Sequence, residues 1–349
     1  MAEARIYVPG TDATAPARTY NQVHRPRKQM AGKRRVSIYV CWSFPGEANR
    51  DVTELDNRYS TMTEVRRVEW PNWEEPEWSD PMMFHQGIAG ALELFFRAWI
   101  PFQELVREVT GQVVPVFQRV DQAGYRLPLD ERVLADCDTL FVFGLDHILT
   151  EQDASPQEIE AVREWLAREG TCLVLGPHHD VGHSANMKDR ALEYAHHGDA
   201  LVPRQQRFAQ YTRSLMKGLG VPVENRWGLR PGVVKGTTQI APLTINRDLD
   251  TRHWLDGVTN FSFHKHLPHY ALTTDGASSI HVLGQQPIDT SKPHPFTNAG
   301  NREFNSFAWM PPQGKRAGEI LLVDSTVFST LFGADESLKR FWKNIATAT

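Results

Sequence analysis

Residues 138–176 decide the fold, and they are DTLFVFGLDHILTEQDASPQEIEAVREWLAREGTCLVLG. The stretch contains two continuous apolar runs, 139–144 and 171–176, which are typical of strands buried on both faces of a parallel sheet. Between them, Ser155-Pro156-Gln157-Glu158 combines a capping Ser, a first-turn Pro and a Glu three residues after the cap, so it predicts a helix start. A strand, a helix and a strand in this order predict a βαβ unit and a parallel sheet.

The rest of the chain extends this pattern in both directions. Further apolar runs predict strands at 36–40, 113–120 and 319–324. Apolar residues at three-to-four spacing predict helices at 84–110, 185–217 and 326–345. Residues 220–315 are rich in turn residues and short strands, and we interpret them as an insertion that covers one edge of the sheet. The sequence therefore predicts an α/β fold, a flavodoxin-like, doubly wound and mostly parallel sheet with a strand- and loop-rich insertion.

Composition excludes several classes of protein. The 349 residues carry a formal charge of −4 and are 41% hydrophobic, so the chain is not disordered throughout. No apolar run approaches the ~18–20 residues of a membrane span, and the N-terminus lacks the apolar core of a secretory signal. The three cysteines are too few for a disulfide scaffold. We expect a cytoplasmic protein in a reducing compartment, with no membrane partner.

The chain is divided into a basic tail and one domain. Residues 1–35 hold eight Lys or Arg and two acidic residues, and they show no apolar periodicity. Such an arm could bind nucleic acid, but it lacks interleaved aromatic residues and the body is acidic, so we favour a flexible solvated tail without a nucleic-acid partner. It is also suited to lie on a neighbouring subunit of a homo-oligomer. Removal of residues 1–30 is then expected to leave the domain, 36–349, intact.

The segment from Asp138 to about Ser184 resembles class I glutamine-amidotransferase-like domains, and within them the ThuA-like (trehalose utilisation) branch. The similarity lies in the run that begins at Asp138 and in WLAREGTCLVLG at 165–176, with a looser fit at 253–258 and 318–324. It covers about half of the chain. The resemblance implies a doubly wound sheet with a ligand crevice at the carboxyl ends of its strands.

One departure from the amidotransferase pattern concerns the nucleophile. The family places a catalytic Cys at the turn after the strand that ends here at Gly176, but this chain has Pro177-His178-His179 there. Cys172 lies inside the predicted strand, where it should be buried and unreactive. Glutaminase chemistry with that nucleophile is therefore excluded.

The first candidate site follows this same strand. His178, His179, Asp180 and His183 stand where open α/β sheets bind their ligands. Imidazole and carboxylate groups are ligands that Zn, Fe or Mn accept, so we predict that these residues bind a divalent metal ion. In an extended backbone, His178 and Asp180 would point to one side and His179 to the other. The alternative is a polar loop in which Asp180 caps the following helix.

The second candidate site is the histidine-rich run around 264–269. His264 and His266 alternate onto one face of a predicted strand and could act as ligands or as general acid and base; the alternative is a solvated surface strand. We expect His178 and at least one of this pair to share a site. His196-His197 ends a helical segment, where cationic residues favour the helix dipole, so we assign that pair no role in the site.

Further residues could support or replace this chemistry. Glu47, after the first strand, is a candidate general base, and Asp146 and Asp324 are candidates to orient metal ligands. Cys41 ends the first strand and is a candidate nucleophile if it faces the crevice; the alternative is a small core residue. The Trp- and Glu-rich residues 70–78 could form a lid over the crevice or a packed surface loop.

The motifs of several enzyme classes are absent from the sequence. It contains no GxxxxGK[ST] phosphate loop, no GxGxxG after a strand and no GxSxG elbow. The leading hypothesis is a metal-assisted hydrolase or lyase that acts on a small polar molecule. Two alternatives remain open, a non-catalytic ThuA-like carbohydrate-binding module and a metal-free cysteine hydrolase that uses Cys41.

Overall fold

The structure of the chain is a computed structural model. It describes residues 27–42, 87–120, 126–146, 148, 151–197, 207–262, 264–273 and 277–347, with the side chains of the first helix described from Phe96 onward. The predicted lid at 70–78 lies outside these residues. Within them, no helix combines the length and the apolar character that crossing a membrane requires.

An eight-stranded sheet, counted over the described residues, forms the centre of the molecule. Five strands make up one half of it: β1 (Val36–Cys41), β2 (Val116–Gln118), β3 (Thr139–Gly144), β4 (Cys172–Pro177) and, near the end of the chain, β10 (Glu319–Leu322). They lie in the order β2-β1-β3-β4-β10, and every neighbouring pair among them is parallel. When these five strands alone are counted in chain order, with β10 as the fifth, this is the 2-1-3-4-5 order of the flavodoxin-like doubly wound fold. The predicted α/β class and parallel sheet are confirmed.

The three apolar runs that the sequence singles out are direct neighbours. Thr139 pairs with Cys172 on β3 and β4, and Glu319 pairs with the same Cys172 from the other side. All residues of β3, β4 and β10 are buried, because helices cover both faces of this half of the sheet. A strand that is covered on both faces requires a continuous apolar run.

The segment predicted to be an insertion instead continues the sheet. Its strands are β5 (Val223–Leu229), β6 (Thr244–Ile245), β7 (Leu267–Leu272), β8 (His281–Pro287) and β9 (Glu303–Met310). Strands β9, β8 and β6 extend the main sheet antiparallel from β10, while β5 and β7 form a separate two-stranded sheet. The expectation that residues 220–315 only cover one edge is therefore wrong, since β10 has neighbours on both sides.

Helices cover the two faces of the sheet. Their bounds are α1 (Gly87–Thr110), α2 (Glu131–Leu134), α3 (Pro156–Leu166), α4 (Met187–His197), α5 (Gln210–Leu219), α6 (Pro295–Asn298) and α7 (Glu336–Thr347). One apolar cluster contains Trp99 and Phe102 of α1 and Trp342 of α7, and a second contains Trp165 of α3 and Leu215 of α5. The helices thus form a layer on each side of the strands.

Two helix boundaries show how local chemistry sets an element's start. Helix α3 begins with the predicted capping box, in which Ser155 and Glu158 bond each other's backbone N–H. The closing helix starts later than predicted: residues Ser325–Phe328 form a short 3-10 helix, and α7 begins after Asp335. The Asp335 carboxylate accepts a hydrogen bond from the Leu338 backbone N–H at 2.9 Å, which makes it the cap.

Arg27, Arg34 and Arg35, placed by the sequence in a solvated tail, are packed against the amino end of the sheet, whereas residues 28–33 between them are exposed. The Arg27 side chain donates to Ser37 Oγ at 2.7 Å and to the Asp136 carboxylate at 3.3 Å. Arg35 forms a two-pronged ion pair with Asp138, with N–O distances of 3.0 and 2.7 Å. The tail boundary at 35 is therefore wrong for this part. These arginines bind the loop ahead of β3 to the start of β1.

Arg27 is expected to stabilise the domain. The side chains of Arg27 and Asp136 are 6% and 7% exposed. Arg27→Ala therefore removes the cationic partner of the buried Asp136 carboxylate. We expect a loss of about 2–4 kcal/mol in the free energy of unfolding, measured by urea denaturation. Lys28→Ala, at an exposed neighbouring position, is the matched control and should change it by less than about 0.5 kcal/mol. Equal stabilities for the two variants would contradict the anchoring role.

Candidate functional site

The candidate site lies where two neighbouring parallel strands end. His178 and His179 follow β4 directly, and Asp324 lies just beyond β10. All three side chains are fully buried. Oδ2 of Asp324 is 3.3 Å from Nδ1 of His178 and 3.6 Å from Nδ1 of His179. This is the carboxyl edge of the sheet, at which open α/β folds bind ligands.

The other oxygen of Asp324 is bonded by the turn that follows it. Oδ1 accepts hydrogen bonds from the backbone N–H of Thr326 at 2.7 Å and from its hydroxyl at 2.6 Å. Nε2 of His264 lies 2.5 Å from the same hydroxyl oxygen. Because the Thr326 proton goes to the carboxylate, His264 must donate from Nε2, and this fixes its tautomer.

The surroundings keep Asp324 ionised. Burial alone raises the pKa of a carboxyl group, but the facing imidazoles of His178 and His179 outweigh it and hold the pKa of Asp324 well below its usual range. A buried negative charge of this kind requires compensation by hydrogen-bond donors or cations.

Two more histidines complete the cluster from distant parts of the chain. His197, the last residue of α4, places Nε2 2.8 Å from Nε2 of His179. His266 precedes β7, and its ring centroid is 3.9 Å from that of His197 and 4.6 Å from that of His179. Two groups of three have ligand atoms within 4.8 Å of one another: His179, His197 and His266, and also His178, His179 and Asp324.

A close backbone approach holds His179 in place. Gly228 of β5 lies against its ring, and a Cβ at this position would stand 2.0 Å from Cδ2 of His179. No side chain fits there, so the strand that crosses over the imidazole requires glycine at this point.

The predicted meeting of His178 with the 264–266 pair is present in the structure. The ring centroids of His178 and His266 are 6.4 Å apart, and those of His264 and His266 are 6.1 Å apart. The pair lies in the segment ahead of β7 and not in a strand, so strand alternation is not what orients it. Glu47, the predicted base, lies outside the described residues.

Asp180 and His183 do not join the cluster. The fully buried Asp180 carboxylate accepts from Arg213 Nη2 at 2.7 Å and from the Phe208 backbone N–H at 3.0 Å, and it faces His183 Nδ1 at 3.3 Å. Burial raises the pKa of Asp180, but Arg213 and His183 outweigh this and lower it to about 2. The alternation expected for 178–180 is wrong because the strand ends at Pro177.

The cysteines are core residues. Cys41 is fully buried in the apolar cluster with Val142 and Tyr211, and it does not lie on an open crevice. This position among apolar side chains favours the alternative, a small core residue, over an accessible nucleophilic thiol. Cys172 is buried as predicted, and burial raises the pKa of its thiol to about 12.

His197 is the residue that the sequence argument missed. The expectation that His196-His197 only favours the helix dipole is wrong for His197, which faces the cluster. His196 points elsewhere: its Nε2 accepts from the Arg230 backbone N–H at 3.0 Å and its Nδ1 lies 3.1 Å from the Lys292 carbonyl. Consecutive helical residues differ by about 100° in direction, so the two rings serve different sites.

The imidazole of His294 lies beside that of His196. His294, 1% exposed, lies with its ring 4.9 Å from that of His196 and 5.4 Å from that of Trp227. Nδ1 of His294 accepts from the Phe296 backbone N–H at 3.0 Å and so caps α6. Burial and the charges of His196 and His197 lower the pKa of His294 to about 3. The ring is neutral at physiological pH.

His294 is expected to make stability depend on pH. The unfolded chain binds a proton there below about pH 6.5 and the folded chain does not, so stability falls as the pH drops from 6.5 towards 3, by at most about 1.4 kcal/mol per pH unit. His294→Asn keeps a cap acceptor without a titrating group. Urea denaturation should show a constant difference in the free energy of unfolding between wild type and the variant above pH 7.5. On acidification this difference should change in favour of the variant. Parallel curves over the whole range would contradict this.

Comparison with known proteins shows similarity to solved structures alone. No family model matches the chain, and no curated protein matches it. A crystal structure of a protein from Bacteroides uniformis ATCC 8492, described as thua-like, is similar over 92% of this chain and 93% of that chain, with 10% sequence identity and a TM-score of 0.38. A likeness at that TM-score carries no conclusion about function, and the fold assignment depends on the strand order given above.

Proposed function

We propose that His179, His197 and His266 bind one divalent metal ion and that the protein is a metal-assisted hydrolase or lyase for a small polar molecule. The observation that carries this proposal is the 2.8 Å separation between Nε2 of His179 and Nε2 of His197, beside the ring of His266. With metal–nitrogen bonds of ~2.0–2.1 Å, two ligand nitrogens stand roughly 2.9–3.4 Å apart. The observed 2.8 Å lies just below this range, so the two rings would move apart slightly on binding the ion. Three imidazoles are a donor set that a transition ion such as Zn, Fe or Mn accepts.

Asp324 supports this assignment as the residue that orients the ligands. Histidine ligands commonly donate their second ring N–H to a carboxylate, which fixes the tautomer and leaves the other nitrogen for the metal. Asp324 faces Nδ1 of His179, the nitrogen on the far side of the ring from His197. The ionised carboxylate would also offset part of the ion's charge.

The chemistry follows from the arrangement of these groups. A divalent ion supplies a Lewis acid that lowers the pKa of water and polarises a carbonyl. His178 lies beside the three ligands, with its ring centroid 3.9 Å from that of His179, and its Nδ1 faces Asp324. In this proposal His178 holds or releases a proton as general acid or base. His264 is linked to Asp324 through the hydroxyl of Thr326, which makes it a positioning residue.

Metal binding by the purified full-length chain tests the ligand set. Elemental analysis after loading with Zn, Mn or Fe should find about one ion per chain. His197→Ala and His266→Ala should each weaken binding by more than about 100-fold, because loss of an orienting residue alone costs 10–100-fold. A metal-loaded sample should also hydrolyse p-nitrophenyl acetate faster than the metal-free chain.

His183→Ala is the matched control, since the sequence predicts His183 as a ligand and the geometry excludes it from the cluster. It should leave metal affinity unchanged. Loss of binding in this variant, with none in His197→Ala, would overturn the proposed ligand set. Absence of metal in the wild-type chain together with sugar-dependent Trp fluorescence would instead support a carbohydrate-binding module.

Thr326 is expected to tune the site without touching the metal. Thr326→Val removes the hydroxyl that bonds both Asp324 and His264, and we expect roughly tenfold weaker metal binding. Thr326→Ser keeps the hydroxyl and should restore most of the affinity. A merely structural role would lower the melting temperature of Thr326→Val without changing metal affinity in titrations below that temperature.

A further inference from the structure

A basic cleft lies beside the histidine cluster. It has a volume of about 790 Å³ and is bordered by α5 and β5, with His183, Arg207, Arg213 and Lys217 among its lining residues. This volume is in the range of sites that bind small molecules, about 300–1,000 Å³. Among the described residues that line it, Glu224 is the one acidic side chain.

The Asp180 carboxylate faces two of the cationic side chains that line this cleft. Its fully buried carboxylate accepts from Arg213 at 2.7 Å, and Nε of Arg207 stands 3.6 Å from the other oxygen. One carboxylate thus faces two guanidinium groups, so it neutralises one of them and leaves a positive excess. The two arginine side chains remain 20% and 39% exposed, which leaves part of each group open towards the cleft.

The wall of the cleft is tied to the histidine cluster. Asn225 lines the cleft and donates from Nδ2 to the His178 carbonyl at 2.5 Å. The backbone N–H of Gly228 donates to the Asp180 carbonyl at 3.1 Å. The segment 178–180 therefore presents its imidazoles to the metal-binding residues and its carboxylate to the arginines.

We propose that this cleft binds the oxyanion group of a small molecule, a carboxylate or a phosphate, through Arg207 and Arg213. Guanidinium groups bind such planar or tetrahedral oxyanions through paired, charge-assisted hydrogen bonds. The whole chain is acidic, with a formal charge of −4, so the concentration of positive charge here is local. The proposal does not depend on metal binding, because the cations are present in the metal-free chain.

Isothermal titration of the metal-free, full-length chain at low ionic strength tests the proposal. Inorganic phosphate and malonate are the two probes, and at least one should bind saturably and more weakly as salt is added. Arg207→Gln is the first variant, because Arg213 remains to pair with Asp180. It should weaken binding about tenfold or more. Glu224→Gln removes the opposing charge at the rim and should strengthen binding.

Lys235→Gln is the matched control: it is exposed and makes the same charge change away from the cleft, so affinity should not change. Stronger binding of phosphate or of malonate identifies which oxyanion the cleft prefers. No saturable binding of either probe, or equal affinities in wild type and Arg207→Gln, overturns the proposal. If Arg207→Gln melts early, Arg213→Lys gives a second variant that retains the charge and loses the paired geometry.

His266→Ala separates this proposal from the metal site. The variant should lose metal and still bind the anion, since His266 does not line the cleft. If anion binding vanishes with the metal while Arg207→Gln has no effect, the anion is bound at the metal site and the cleft proposal fails. If metal binding fails in the wild-type chain and anion binding persists, only the proposed function fails.

Discussion

The carboxylate of Asp324 is the group on which the candidate site depends. An ionised carboxylate without contact to water needs partners on both oxygens. The turn after β10 provides two donors at one oxygen, and the imidazoles after β4 face the other. The two strand ends are thereby held together by the compensation of one buried charge. His264 is included through the hydroxyl of Thr326, so a single carboxylate orients side chains from three separate segments.

The parallel half of the fold is predictable from the sequence because its physical requirements are local. A strand covered on both faces must be apolar at nearly every position, and the runs at 140–144 and 172–177 satisfy this, while the hydroxyl of Thr139 accepts from Arg34. The capping box at Ser155 is equally local. The placement of β8 and β9 cannot be predicted in this way. An antiparallel strand with one less protected face has no sequence pattern that shows which strand lies beside it.

The site is predictable only in part, for a related reason. Its location follows from the rule that ligands bind at the carboxyl edge of a parallel sheet, which singles out His178 and His179. The directions of Asp180 and His197 depend on how the chain leaves β4 and on the rotation of α4 about its axis. These are set by tertiary packing, as the contact of Arg213 with Asp180 illustrates. Adjacent histidines in a sequence therefore say little about a shared site.

The position of β10 has a consequence for the order of events during synthesis. This strand lies between β4 and β9, and it is the link between the parallel and antiparallel halves of the sheet. Both halves are synthesised before β10. Each therefore has an unpaired edge strand until β10 is made. The carboxylate that orients the histidines arrives on that same segment. A nascent chain therefore acquires its site only when its sheet closes, so ligand binding reports on the pairing of β10 with its two neighbours.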